Sequence, residues 1–77
     1  MNKDRRKRVD QQIERLQQIQ EDLQALIDEE EEAFENLPES FQGGEQGARI
    51  REALDILDQA LSYVNGAEAD LSDLTSD

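Results

Sequence analysis

The chain contains neither cysteine nor histidine. Disulfides are therefore excluded, as are the Cys and His ligand sets of structural zinc sites, and carboxylates remain the only plentiful ligands. Ser-His and Cys-His nucleophilic pairs are impossible, and so are carboxylate-bridged di-iron bundles, which need Glu-x-x-His pairs. General acid-base work would fall to carboxylates, Lys3, Lys7 or Tyr63, and the sequence shows no apolar pocket that would tune any of them. No apolar run approaches the roughly 20 residues of a membrane span, and the basic N-terminal segment leads into Gln and Glu rather than an apolar signal region. Together these absences predict a protein that is not an enzyme, carries no cofactor or metal, crosses no membrane and resides in the cytoplasm.

The 77 residues make one domain at most, of a size whose core alone supplies only a few kcal/mol of net stability. With no disulfide or metal to staple it, association is the remaining staple, and a homo-oligomer is expected. Hydrophobic residues make up 35% and charged residues 36%, with a net charge of -12, close to the disordered border. The regular spacing of the apolar residues argues for a fold.

Charge is unevenly placed. Lys3, Arg5, Arg6, Lys7 and Arg8, five of the eight bases, lie in the first eight positions beside one acid, Asp4. From Val9 onward 19 acids face only Arg15, Arg49 and Arg51. Long-range repulsion from that acidic body would overwhelm the attraction of a short basic cluster for phosphates, so direct nucleic-acid binding is not expected.

Val9, Ile13, Leu16, Leu23, Ile27, Phe34 and Leu37 follow alternating steps of three and four, with Gln20 and Glu30 filling two seam positions. This pattern predicts a helix over about 5–37. Ile19, Leu26 and Ala33 add a second row, a stripe wide enough to face more than one neighbouring helix. Leu37-Pro38 stops the helix, and Gly43, Gly44 and Gly47 mark a turn, giving a connector over about 38–45.

A second helix is predicted over about 46–71, followed by an acidic tail at 72–77. Ile50, Leu57, Val64 and Leu71 recur seven apart, Ala53, Ala60 and Ala67 lie between them, and Leu54 and Leu61 run alongside. Gly66 could stop this helix, but Ala67 and Leu71 keep the phase beyond it. Small residues facing large ones let helices approach closely, and the short connection makes them antiparallel neighbours. The expected fold is all-α: one domain, 1–77, forming an antiparallel two-helix hairpin that dimerises into a four-helix bundle. Ile13, Leu16, Leu23, Ile27, Phe34, Ile50, Leu54, Leu57, Leu61 and Val64 are the expected oligomer interface.

The boldest local feature is Asp28-Glu29-Glu30-Glu31-Glu32, followed by Glu35. Five successive acids point nearly all round a helix and cannot converge on one metal ion. A solvated acidic turn is the plain reading. These acids also oppose the helix macrodipole and repel one another at i,i+4, and charge that costs stability suggests a partner-binding surface for a basic protein. The basic cluster Arg5, Arg6, Lys7 and Arg8 is expected to be neutralised by Glu68, Asp70, Asp73 and Asp77 returning beside it. Phe41 is expected to plug the bundle end over Phe34 or Leu37, or else to anchor a partner. Tyr63 is expected to be a core or edge residue with its hydroxyl in water and not a ligand-stacking group.

The Arg5-Arg6-Lys7-Arg8 start, the phrase Glu32-Ala33-Phe34-Glu35-Asn36-Leu37-Pro38-Glu39-Ser40, the glycine-bearing turn and the acidic second helix together resemble small acidic proteins of bacteriophages, prophages and other bacterial mobile elements. The likeness spans nearly the whole chain, and its most specific part is Asn36 to Ser40. It implies a bacterial host cell as the setting and no defined activity. Gly66 departs from the uninterrupted second helix that the resemblance implies.

Two functions fit. One is an interaction protein presenting acids to a basic site on a host protein, as a nucleic-acid mimic or inhibitor. The other is a structural homo-oligomer whose acidity serves solubility alone. A third, a small-ligand sponge formed between protomers, is suggested by the wide stripes and Phe41.

Overall fold

The computed structural model describes residues 1–76, and the expected acidic tail therefore ends outside the described residues at Asp77. The described chain is all-helical, a rod of 58 × 14 × 13 Å. Helix α1 spans Lys3–Glu35, a single-turn α2 spans Glu39–Gln42, and α3 spans Glu45–Thr75. α1 and α3 pack side by side along their length, and α2 packs on the start of α3.

Local chemistry accounts for the ends. The side chain of Asn2 caps α1 by accepting from the Arg5 amide at 2.8 Å, satisfying one of the orphan N–H groups of the first turn. Pro38 then breaks the helical run, and its carbonyl accepts from the amides of Phe41 and Gln42 at 2.8 and 3.1 Å, closing α2. Helix α3 runs straight through Gly66 to Thr75, four residues beyond the predicted end. A Cβ at Gly66 would meet nothing within 4 Å, so this glycine faces open space.

The seam between α1 and α3 is a heptad pattern on both helices. On α1 the shielded residues are Arg6, Val9, Ile13, Leu16, Gln20, Leu23, Ile27, Glu30 and Phe34, and Leu37 continues the steps just past its end. On α3 the corresponding steps run through Gly47, Ile50, Leu54, Leu57, Leu61, Val64, Glu68, Leu71 and Thr75. Alternating steps of three and four are the signature of helices winding around each other at a slight angle. Ile27 alone among the described apolar residues is fully enclosed, at 3% exposure. The other apolar side chains of the seam stay half-buried, because two helices can cover only one side of each side chain.

The connector holds by polar contacts around a bare backbone. Gln42 Nε2 donates to the Phe34 and Leu37 carbonyls at 3.2 and 3.1 Å, satisfying acceptors freed at the end of α1. Arg51 donates to the Gln42 carbonyl at 3.4 Å and stacks its guanidinium 5.7 Å from the Phe34 ring centre. Gly47 lies inside the first turn of α3, not in the turn where its spacing had placed it, and its φ needs no special freedom. Its role is close approach: a Cβ there would overlap the Gln42 carbonyl and lie 2.6 Å from the Gln42 carbonyl carbon. Phe41 does not plug the end of the hairpin. It remains 51% exposed, and the Phe34 ring is covered instead by the Arg51 guanidinium.

Candidate interaction surfaces

Two cross-helix contacts fix the register: Gln20 Nε2 reaches Glu68 Oε1 at 3.4 Å, and Arg51 covers Phe34. Lettering the seam with Arg6 and Gly47 at a, and Val9 and Ile50 at d, assigns every other residue to a side of the rod. In an antiparallel pair the g rows of both helices flank the seam on one side and the e rows flank it on the other.

The g side carries the exposed aliphatic rows, with Arg5, Gln12 and Gln46 at their ends and Arg8, Arg15, Asp22, Glu29, Arg49 and Asp70 along the adjoining c positions. Helix α1 contributes Ile19, Leu26 and Ala33, and α3 contributes Ala53, Ala60, Ala67 and Leu74. Ile56 and Tyr63 occupy c positions of α3, adjacent to its g row on the helical wheel. Ile19, Leu26, Ile56, Tyr63 and Leu74 are all exposed, Ile56 at 59% and Tyr63 at 69%. The Tyr63 hydroxyl accepts from Gln59 Nε2 at 2.9 Å, a contact on the surface of its own helix. The register sets Ile19, Leu26 and Ala33 abreast of Ala67, Ala60 and Ala53, so the larger side chains of α1 stand beside small ones of α3.

The e side, with its neighbouring b positions, is acidic. Asp10, Glu14, Glu21, Asp28, Glu31 and Glu35 of α1 and Asp55 and Asp58 of α3 lie there, all exposed. The bases on that side are Lys3 and Lys7 at the open end and Arg51 near the connector.

The ten residues expected at an oligomer interface, Ile13, Leu16, Leu23, Ile27, Phe34, Ile50, Leu54, Leu57, Leu61 and Val64, line the seam within one hairpin, and none of them is exposed. Apart from Met1 at the chain start and Phe41 in α2, the large apolar residues left exposed lie on the g side. Ile56 was missed in the sequence because it lies off the seam phase, and Tyr63, expected as a core or edge residue, is 69% exposed for the same reason. The acids expected as a partner surface scatter around α1: Asp28, Glu31 and Glu35 on the acidic side, Glu29 on the apolar edge, Glu32 facing outward and Glu30 half-buried in the seam. Heptad spacing places Asp10, Glu14 and Glu21 on the same side as Asp28, Glu31 and Glu35.

No family model matches this chain, and no curated protein or solved structure matches it. The remaining features are local. Arg8 pairs with Asp4 at 3.2 Å on its own helix, and no ion pair joins Arg5, Lys7 or Arg8 to Glu68, Asp70 or Asp73 among the described residues. Glu68 is engaged instead by Gln20 and by Ser72, whose hydroxyl donates at 3.0 Å. Asp77, the fourth acid expected near that cluster, lies outside the described residues. A shallow open recess at this basic end is lined by Met1, Arg5, Arg8, Val9 and Gln12. Among the described residues no cluster of acids is arranged to hold a metal ion, and no helix is long and apolar enough to cross a membrane.

Proposed function

We propose that the chain is a non-catalytic interaction protein that self-associates through its apolar side and presents its acidic side to a basic site on another protein. The observation that supports this reading is segregation: eight exposed acids gather on one long side of the rod, and the exposed aliphatic rows gather on the opposite one. A charge of -12 spread only for solubility would need no such sorting. Pairing two hairpins into a four-helix bundle covers the apolar rows and leaves an acidic surface on each outer side. Two parallel tracks of carboxylates on a rod suit a positive cleft of the kind that binds nucleic acid. In the mobile-element setting suggested by the connector, that cleft belongs to a host protein. Long-range attraction would speed encounter, and salt would weaken it.

The test is capture from a bacterial lysate on the immobilised protein at low salt, repeated with Glu14→Gln, Glu21→Gln, Asp28→Asn and Glu31→Gln combined. The expected result is retention of basic, nucleic-acid-binding proteins that elute as salt rises, and loss of that retention in the neutralised variant. Retention of no such protein by the native chain would count against the proposal.

The second reading, a structural module whose assembly is itself the product, is supported by the length of the exposed apolar side. It expects the neutralised variant to keep its full function.

A further inference from the structure

The apolar side has a symmetry of its own, and that symmetry bears on what covers it. On α3 the g row places Ala60 midway between Ala53 and Ala67. Two copies of α3 crossed antiparallel at Ala60 would set Ala53 of each against Ala67 of the other, a row of small side chains that admits close backbone approach. The edge of that row is self-complementary in charge. Arg49, which in the single hairpin forms an exposed i,i+4 pair with Glu45 at 2.6 Å, lies eleven residues before Ala60 and Asp70 ten residues after it, both on the c edge that also carries Ile56 and Tyr63. Reversing one copy brings Arg49 opposite the other copy's Asp70 at both ends of the contact, and Ile56 opposite Tyr63 between them.

Helix α1 shares the same centre. The hairpin register sets Leu26 abreast of Ala60, and in the α1 row Leu26 stands midway between Ile19 and Ala33. The same reversal places Leu26 against its own copy and the large Ile19 against the small Ala33. Two helices of different sequence thus have their self-complementary points at one level of the rod, which a surface meant for an unrelated partner has no need to satisfy. The other orientation, with both connectors at one end, would place the two basic segments at Arg5 to Arg8 side by side. On the α1 edge Asp22 meets Glu29 across the pair, and this like-charge contact places the closest approach on the α3 side.

We propose that the occupant of the apolar side is a second copy of this chain, packed antiparallel about a two-fold axis between Leu26 and Ala60, with Arg49 of each copy paired to Asp70 of the other. This rests on the self-association proposed above and adds its face, direction and register.

Because the chain has no cysteine, a single introduced thiol reports position. Oxidised Ala60→Cys is expected to give a covalent dimer in high yield, whereas Ser62→Cys, on the opposite side of α3, is not. Arg49→Asp alone is expected to weaken dimerisation about tenfold, and adding Asp70→Arg to restore most of it, since a directly opposed charge pair behaves this way. Leu26→Glu, exposed in the hairpin, is expected to yield monomers of unchanged helicity by circular dichroism. A native chain that sediments as a monomer at micromolar concentration overturns both this inference and the self-association beneath it. A native dimer that survives Leu26→Glu, or cross-links at Ser62→Cys and not at Ala60→Cys, overturns the face and register alone.

Discussion

The two ends of the hairpin are built differently. Toward the connector the seam is apolar apart from Glu30, the enclosed Ile27 lies in it, and Gln42, Arg51 and Gly47 lock the turn through backbone carbonyls. Toward the open end Arg6, Gln20, Glu68 and Thr75 all occupy seam positions, and five bases, Lys3, Arg5, Arg6, Lys7 and Arg8, crowd the first turns of α1 against its dipole. The connector end therefore holds the register, while the open end is drawn from the low-stability part of the structure and opens first.

The largest expected effect tests where the register is held. Ile27→Ala removes the one enclosed apolar side chain and should cost about 2–4 kcal/mol, enough to unfold much of so small a chain; thermal melting followed by circular dichroism measures it. Leu16→Ala, in a half-buried seam position of the open half, should cost clearly less. Equal losses at the two positions would erase the distinction between the ends.

Gly47→Ala strikes the lock itself. The new methyl overlaps the Gln42 carbonyl, which is backbone and cannot swing aside, so a loss of about 1–3 kcal/mol is expected despite the better helix propensity of alanine. Melting temperature reports the size of the effect. Its place is read from amide exchange, which should quicken at Phe41 and Gln42 before it does in mid-helix.

Much of this architecture was legible in the sequence. The alternating steps from Val9 to Leu37 carry the first helix and its seam, including Gln20 and Glu30, because a heptad repeat is a direct image of helix geometry. Pro38 marks the break for an equally local reason. What escaped depends on a third dimension. The short α2, the Gln42 side chain reaching back to two carbonyls and the exposure of Phe41 are such features, and no spacing announces them. Gly47 reads as a turn glycine until Gln42 is seen beside it. The acidic side was hidden for a related reason: its members are scattered at heptad intervals over two helices, whereas the consecutive acids at 28–32 draw the eye and then splay around the rod.

The open end can also be improved, which sharpens the contrast from the other direction. Gln20 and Glu68 spend two half-buried seam positions on one long hydrogen bond of 3.4 Å. Replacing both by leucine removes this donor and acceptor together, leaves the Ser72 hydroxyl that donates to Glu68 at 3.0 Å to turn to water, and adds apolar contact where the seam is poorest. A gain of about 1–2 kcal/mol is expected, with amide protection extending toward both termini. No gain would mean that the open half is limited by its charges and not by its packing.

The smallest effect separates two glycines of the same helix. Gly66 sits in the open half with nothing within 4 Å of the place a Cβ would take, and its φ is not positive, so neither close approach nor backbone conformation requires it. Its cost is the extra freedom that glycine holds in the unfolded chain. Gly66→Ala should therefore stabilise the protein by about 0.5–1 kcal/mol, opposite in sign to Gly47→Ala, by thermal melting under the same conditions. If Gly66→Ala were destabilising instead, a second chain would have to be packed closely against that outward turn of α3. The antiparallel contact through the apolar side leaves that turn uncovered, so the sign of this one substitution also constrains how two copies meet.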